Sequence, residues 1–86
     1  MQFQKYDLGQ LRGGETVEVT LQNSANVKLM DSGNFRSYQS GGRHQFYGGR
    51  VTRSPFRVAV PHSGQWHVAI DLGRNGGTIR SSVRVL

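Results

Sequence analysis

Residues 54–72, SPFRVAVPHSGQWHVAIDL, constrain this chain more than any other stretch. Phe56, Val58 and Val60 alternate with Arg57 and Ala59, and Trp66, Val68, Ile70 and Leu72 alternate with His67, Ala69 and Asp71. Apolar side chains at every second position line one face of a strand and fit a helix poorly. Between the runs, Pro61-His62-Ser63-Gly64 is turn chemistry: proline fixes φ and removes a donor, and glycine admits positive φ. Two alternating runs joined so briefly read as a β-hairpin that carries Trp66 inward.

The same rhythm recurs along the chain. A first strand is expected over Gln2–Leu8, ending at Gly9, and a second over Glu15–Gln22, with Val17, Val19 and Leu21 on one side. A short third strand holds Val27, Leu29 and Met30 and stops at Asp31-Ser32-Gly33-Asn34. Residues 31–54 are rich in Gly, Ser and aromatics. A structureless loop of about 20 residues is uncommon in a small domain, so Gln45–Thr52 is assigned to a strand with a bulge or bend at Gly48-Gly49. A hairpin loop follows at 73–77 with its Asn75-Gly76 pair. Thr78–Val85 is the last strand, with Ile79, Ser81, Val83 and Val85 inward.

No stretch sustains a 3.6-residue period over three turns, so helix content is expected near zero. About seven short strands predict an all-β fold, a small β-sandwich of jelly-roll or Greek-key-like type, as one domain over 1–86. Its expected core is Val17, Val19, Leu21, Val27, Leu29, Phe56, Val58, Val60, Trp66, Val68, Ile70, Val83 and Val85. A chain of 86 residues buries only about 60–65% of its unfolded surface, so each large apolar side chain matters.

Charge narrows the partners. The formal charge is +6, and nine of the eleven basic residues are Arg, whose planar fork suits phosphate and carboxylate and stacks on rings. The plain alternative is solubility. With no Cys there is no disulfide, thiolate nucleophile or thiolate metal site, which favours a reducing, cytoplasmic setting. The start, MQFQKYDLGQL, lacks the apolar region of a signal peptide. No apolar run reaches the ~20 residues of a membrane-spanning helix.

In order, GGETVEVTL, ANVKLMD, SPFRVAVPHSGQWHVAIDL and SSVRVL cover most of the chain. The pattern resembles an uncharacterised family of small bacterial all-β proteins, found alone or beside a Toll/interleukin-1-receptor (TIR) signalling domain. More distantly it is similar to jelly-roll-like domains appended to secreted peptidases. The first resemblance implies a sandwich in a sensing or protein-interaction role; the second implies fold alone.

Arg36, Tyr38, Arg43, His44, Tyr47, Arg50, Arg53 and Arg57 are the candidate ligand-binding residues. They interleave rings and guanidiniums, the mixture with which bases are stacked and phosphates neutralised. The alternative is that Phe35, Phe46 and one Tyr plug the end of the sandwich while the arginines are solvated. A second basic face, Arg57, Arg80 and Arg84 with His67 and Asp71, would form if the hairpin and the last strand share a sheet. His62 and His67 are five apart, which is no known ligand spacing, so no metal or other cofactor is expected. Neither a Gly-x-Ser-x-Gly elbow nor a phosphate loop is present, and no enzyme activity is expected. The function read from the residues is a non-enzymatic binding module for an acidic protein or anionic ligand, with single-stranded nucleic acid as the alternative. Self-association through an edge strand stays open.

Overall fold

A computed structural model describes residues 3–73 and 79–86. Seven strands and one helix follow in the order β1 (Gln4–Leu11), β2 (Thr16–Leu21), β3 (Ala25–Asp31), α1 (Ser32–Gln39), β4 (Tyr47–Val51), β5 (Phe56–Ala59), β6 (Gly64–Asp71) and β7 (Ser81–Val85). They form two antiparallel sheets, β1-β6-β3-β4 and β5-β2-β7. The fold is therefore a small all-β sandwich. Strand pairing is nested: β1 with β6, β2 with β5 and β3 with β4. That is one long hairpin wound around a common core, the jelly-roll arrangement, with β7 added beside β2. Gln2, the 73–77 hairpin loop beyond Gly73, and Thr78 lie outside the described residues.

This winding overturns the expected β5–β6 hairpin. The two runs belong to opposite sheets, and residues 60–63 carry the chain between them. Both apolar faces still meet in one interior, which is why alternation alone could not distinguish the two cases. The crossing is held by Gly14 N–H donating to the Val60 carbonyl and Val60 N–H to the Glu15 carbonyl, each at 2.8 Å. Trp66 is 1% exposed, and its indole N–H donates to the His62 carbonyl at 3.0 Å. Gly13 lets the crossing pack close, since a Cβ there would stand 3.1 Å from the His62 backbone.

The interior between the sheets contains Leu11, Val17, Val19, Leu21, Ala25, Val27, Leu29, Val51, Val60, Trp66, Val68 and Ile70. Phe56, Val58 and Val83 pack against it from half-buried positions. Val85 is corrected: it is 39% exposed, because it ends β7, a terminal strand of the three-stranded sheet. β1 also runs past Gly9, the expected stop. Its register against β6 shifts between Asp7 and Gly9, Gly9 takes φ +71°, and its N–H is accepted by Asp7 Oδ1 at 3.0 Å. The extra residue resets the alternation by one, so Tyr6, Leu8 and Leu11 all reach the core despite their unequal spacing.

The largest departure from expectation is α1. Asp31 caps it, accepting the Asn34 N–H at 3.0 Å. It ends in a Schellman motif: Gly41 N–H donates to the Tyr38 carbonyl, Gly42 N–H to the Ser37 carbonyl, and Gly41 has φ +80°. Phe35 and Tyr38, three apart, drop onto Met30 and Ala69 on the outer face of the four-stranded sheet, with Phe3 beside them. Two apolar positions over eight residues are too few to show a period, although both end signals stand in the sequence.

Candidate functional site

Because α1 covers one sheet, several outward residues of β3 and β6 are interior after all. Asp71, expected on a solvent face, is 4% exposed. Its Oδ1 accepts from Asn26 Nδ2 and Gly73 N–H, each at 2.9 Å, and its Oδ2 accepts from the Tyr38 hydroxyl at 2.8 Å. Burial pushes this carboxyl up, but the bonds from Asn26, Tyr38 and Gly73, with the charge of Lys28, outweigh it and hold the group below its ordinary value. Burial, then the bond to Asp71 and its charge, push the Tyr38 hydroxyl up.

Tyr38 is thus removed from the candidate ligand face: it is 1% exposed, and its ring and hydroxyl fasten the helix to the sheet. His44 is half-buried beside it. Lys28 Nζ donates to His44 Nε2 at 3.1 Å, and His44 Nδ1 carries the proton shared with the Gly42 carbonyl at 3.0 Å. Lys28 Nζ also lies 4.9 Å from the Tyr38 ring centre and 4.8 Å from that of Phe46. His44 therefore anchors the loop after α1.

Arg57 is likewise elsewhere. It lies on the outer face of the other sheet, opposite Glu18 in the register of β2 and β5, with Arg84 of β7 on the far side of Glu18. Arg57 and Arg84 both donate to that single carboxylate, at 2.9 and 2.5 Å. Arg84 foremost, then Arg57, holds the Glu18 carboxyl below its ordinary value. The second basic face is corrected accordingly: Arg57 and Arg84 share a sheet, while His67 and Asp71 belong to the other and lie under α1.

What remains together is the stretch from Arg43 to Arg53. Arg43, Arg50 and Arg53 are exposed along β4 and its flanking loops, with Phe46 at 40% and Tyr47 at 44% exposure. Arg36 is exposed on α1. Among the described residues, β4 is a terminal strand, paired only with β3. Gly48 brings it close: a Cβ there, at φ +127°, would collide with the Val27 carbonyl oxygen. The register through Gly48-Gly49 is continuous, so of the expected bulge or bend the bulge is excluded, and Gly48 marks a close approach.

This edge has guanidiniums and no acidic side chain beside them among the described residues. The sequence has no Asp or Glu between Asp31 and Asp71. All five carboxylates have internal tasks: Asp7 accepts the Gly9 N–H, Glu15 the Arg12 and Gly13 N–H groups, Glu18 two guanidiniums, Asp31 the helix start and Asp71 the buried network. Among the described residues, Arg36, Arg43, Arg50 and Arg53 have no acidic partner. The sequence marked this stretch by its interleaved rings and guanidiniums; the acid-free span is a second signal for the same edge.

One further cluster has catalytic residue types. Ser32 Oγ lies 2.9 Å from His67 Nε2, and Asp7 Oδ1 is 3.8 Å from His67 Nδ1. The second gap exceeds hydrogen-bond length, and Phe35 stacks on the imidazole with ring centres 4.7 Å apart. The cluster docks the start of α1.

These features define a class: a small jelly-roll sandwich with one helix on its larger sheet and a basic open edge. A family model described as Domain of unknown function (DUF1883) matches residues 1–86, and the chain belongs to that family. Neither the curated proteins nor the solved structures yield a match.

Proposed function

We propose that this protein is a non-enzymatic binding module whose ligand face is the β4 edge with its flanking loops, taking an acidic protein or other anionic ligand. The observation that carries this reading is the uneven assignment of charge. Every carboxylate is engaged inside the chain, while Arg43, Arg50 and Arg53 stand unpaired among the described residues beside two exposed rings. Such a face attracts acidic surfaces from a distance, and its rings add contact area once an encounter forms. The resemblance to small proteins found beside TIR signalling domains supports an interaction role. The cysteine-free composition favours a cytoplasmic setting for it.

Single-stranded nucleic acid is the second reading, favoured by the exposure of Phe46 and Tyr47 next to Arg43 and Arg50. Fluorescence anisotropy with a labelled acidic peptide and a labelled oligonucleotide decides between them. The first reading expects the peptide to bind at low salt, weaken as salt rises, and be lost in an Arg43→Gln/Arg50→Gln double variant. The nucleic-acid reading expects a slope of log K on log salt of about −2 for three phosphate contacts, and loss on Tyr47→Ala. Binding of neither probe at low salt removes both readings.

A further inference from the structure

The end of the sandwich where β2 finishes holds a feature that shares residues 51–53 with the β4 edge but opens between β2 and its neighbours. Two cavities, about 260 and 340 Å³, share Leu21 and Gln22 in their walls. One opens toward the β4–β5 connection, with Arg53 and Ser54; the other opens toward the start of β7, with Arg80. We propose that this divided cleft binds a small phosphorylated molecule, with Arg53 and Arg80 neutralising the phosphoryl group.

Three observations carry the assignment. Among the described residues, the walls contain no Asp or Glu, and their side-chain polar groups are hydroxyls, amides and two guanidiniums. That set donates to an oxyanion and contains no charged acceptor for a cationic ligand. Next, Ser54 Oγ accepts the Leu21 N–H at 2.7 Å, so the hydroxyl proton of Ser54 is left to donate to a ligand. The cleft is also held firmly: Gln22 N–H donates to the Arg80 carbonyl at 3.0 Å, and β7 is registered against β2 through Leu21 and Ser81. One cavity lies just below and the other just above the lower end of the ~300–1,000 Å³ usual for small-molecule sites. That size suits a phosphate ester as small as a sugar phosphate, which also presents hydroxyls to the serines.

Amide-shift titration of the intact chain tests this, with inorganic phosphate, glucose 6-phosphate, glucose, and sodium chloride at matched ionic strength. The expected result is saturable shifts at residues 22–24, 52–54 and 80–82 with both phosphates, tighter for the ester, and none with glucose or chloride. Arg53→Gln and Arg80→Gln, both at exposed positions, should each weaken binding about tenfold with amide dispersion unchanged. Arg50→Gln and Tyr47→Ala should leave phosphate binding intact, which separates this cleft from the β4 edge. Shifts that fail to saturate, that spread equally to the amides of Arg36, Arg43 and Arg50, or that weaken as much in Arg50→Gln would overturn the proposal.

Discussion

Replacing Tyr38 with Phe removes one oxygen from the most buried polar contact of the fold. The ring keeps its neighbours, with Phe3 at 5.0 Å and Phe35 at 6.4 Å between ring centres, so no cavity of consequence opens. Asp71 Oδ1 retains the Asn26 amide and the Gly73 N–H, while Oδ2 loses the phenolic donor. A hydrogen bond to a buried charge is worth about 1.5–3 kcal/mol. For a domain of this length, about 2 kcal/mol corresponds to a fall in Tm of roughly 8–16 °C. The pH dependence has a definite sign. The Asp71 carboxyl is held below its ordinary value in the folded protein, so its contribution is complete above 3.8 and is lost as pH falls through the lower folded-state value. The gap between the two proteins should therefore be widest near neutrality and narrow in strong acid, where a neutral carboxyl accepts a weaker bond. Thermal and urea unfolding at neutral and acid pH measure it. A loss below about 0.5 kcal/mol, or a gap unchanged by acid, would refute the reasoning.

Other outcomes follow from the same structure. Trp66→Ala should cost about 3–5 kcal/mol in urea unfolding, a large share of what a domain of this size has; a loss under about 1 kcal/mol contradicts its central packing. Asp31→Ala removes the helix cap and should cost about 0.5–2 kcal/mol, with faster amide exchange concentrated in residues 32–39. Glu18→Gln leaves Arg57 and Arg84 facing each other across a neutral group; its Tm should fall and partly recover in high salt, whereas salt-independent loss would point to packing.

How much of this was legible beforehand depended on the range of each signal. Alternation exposed the strands, the sandwich class and the interior position of Trp66, because a period of two is visible in six residues. It could not show which sheet each strand joins: β5 and β6 alternate identically whether they pair or face each other across the core. At Gly9 the bulge broke the pattern that Leu11 rejoined, so a strand read as ended continued. Helix α1 escaped because Phe35 and Tyr38 are its only two core contacts, although Asp31 and Gly41 stood at its ends. That omission propagated to the candidate site, since Tyr38 and Asp71 were placed facing solvent while α1 buries both. Arg43, Tyr47, Arg50 and Arg53 are exposed on β4 and its flanking loops, a placement that does not depend on the helix. Arg57 was misassigned with its strand.

Hydrogen exchange of the backbone amides, with and without a saturating acidic peptide at low salt, tests most directly whether the unpaired cations of the β4 edge form the binding face. Slower exchange confined to residues 43–53, with the Glu18 face unchanged, is the expected result. Protection centred on Glu18, Arg57 and Arg84, or none anywhere while the peptide is bound, would contradict the assignment.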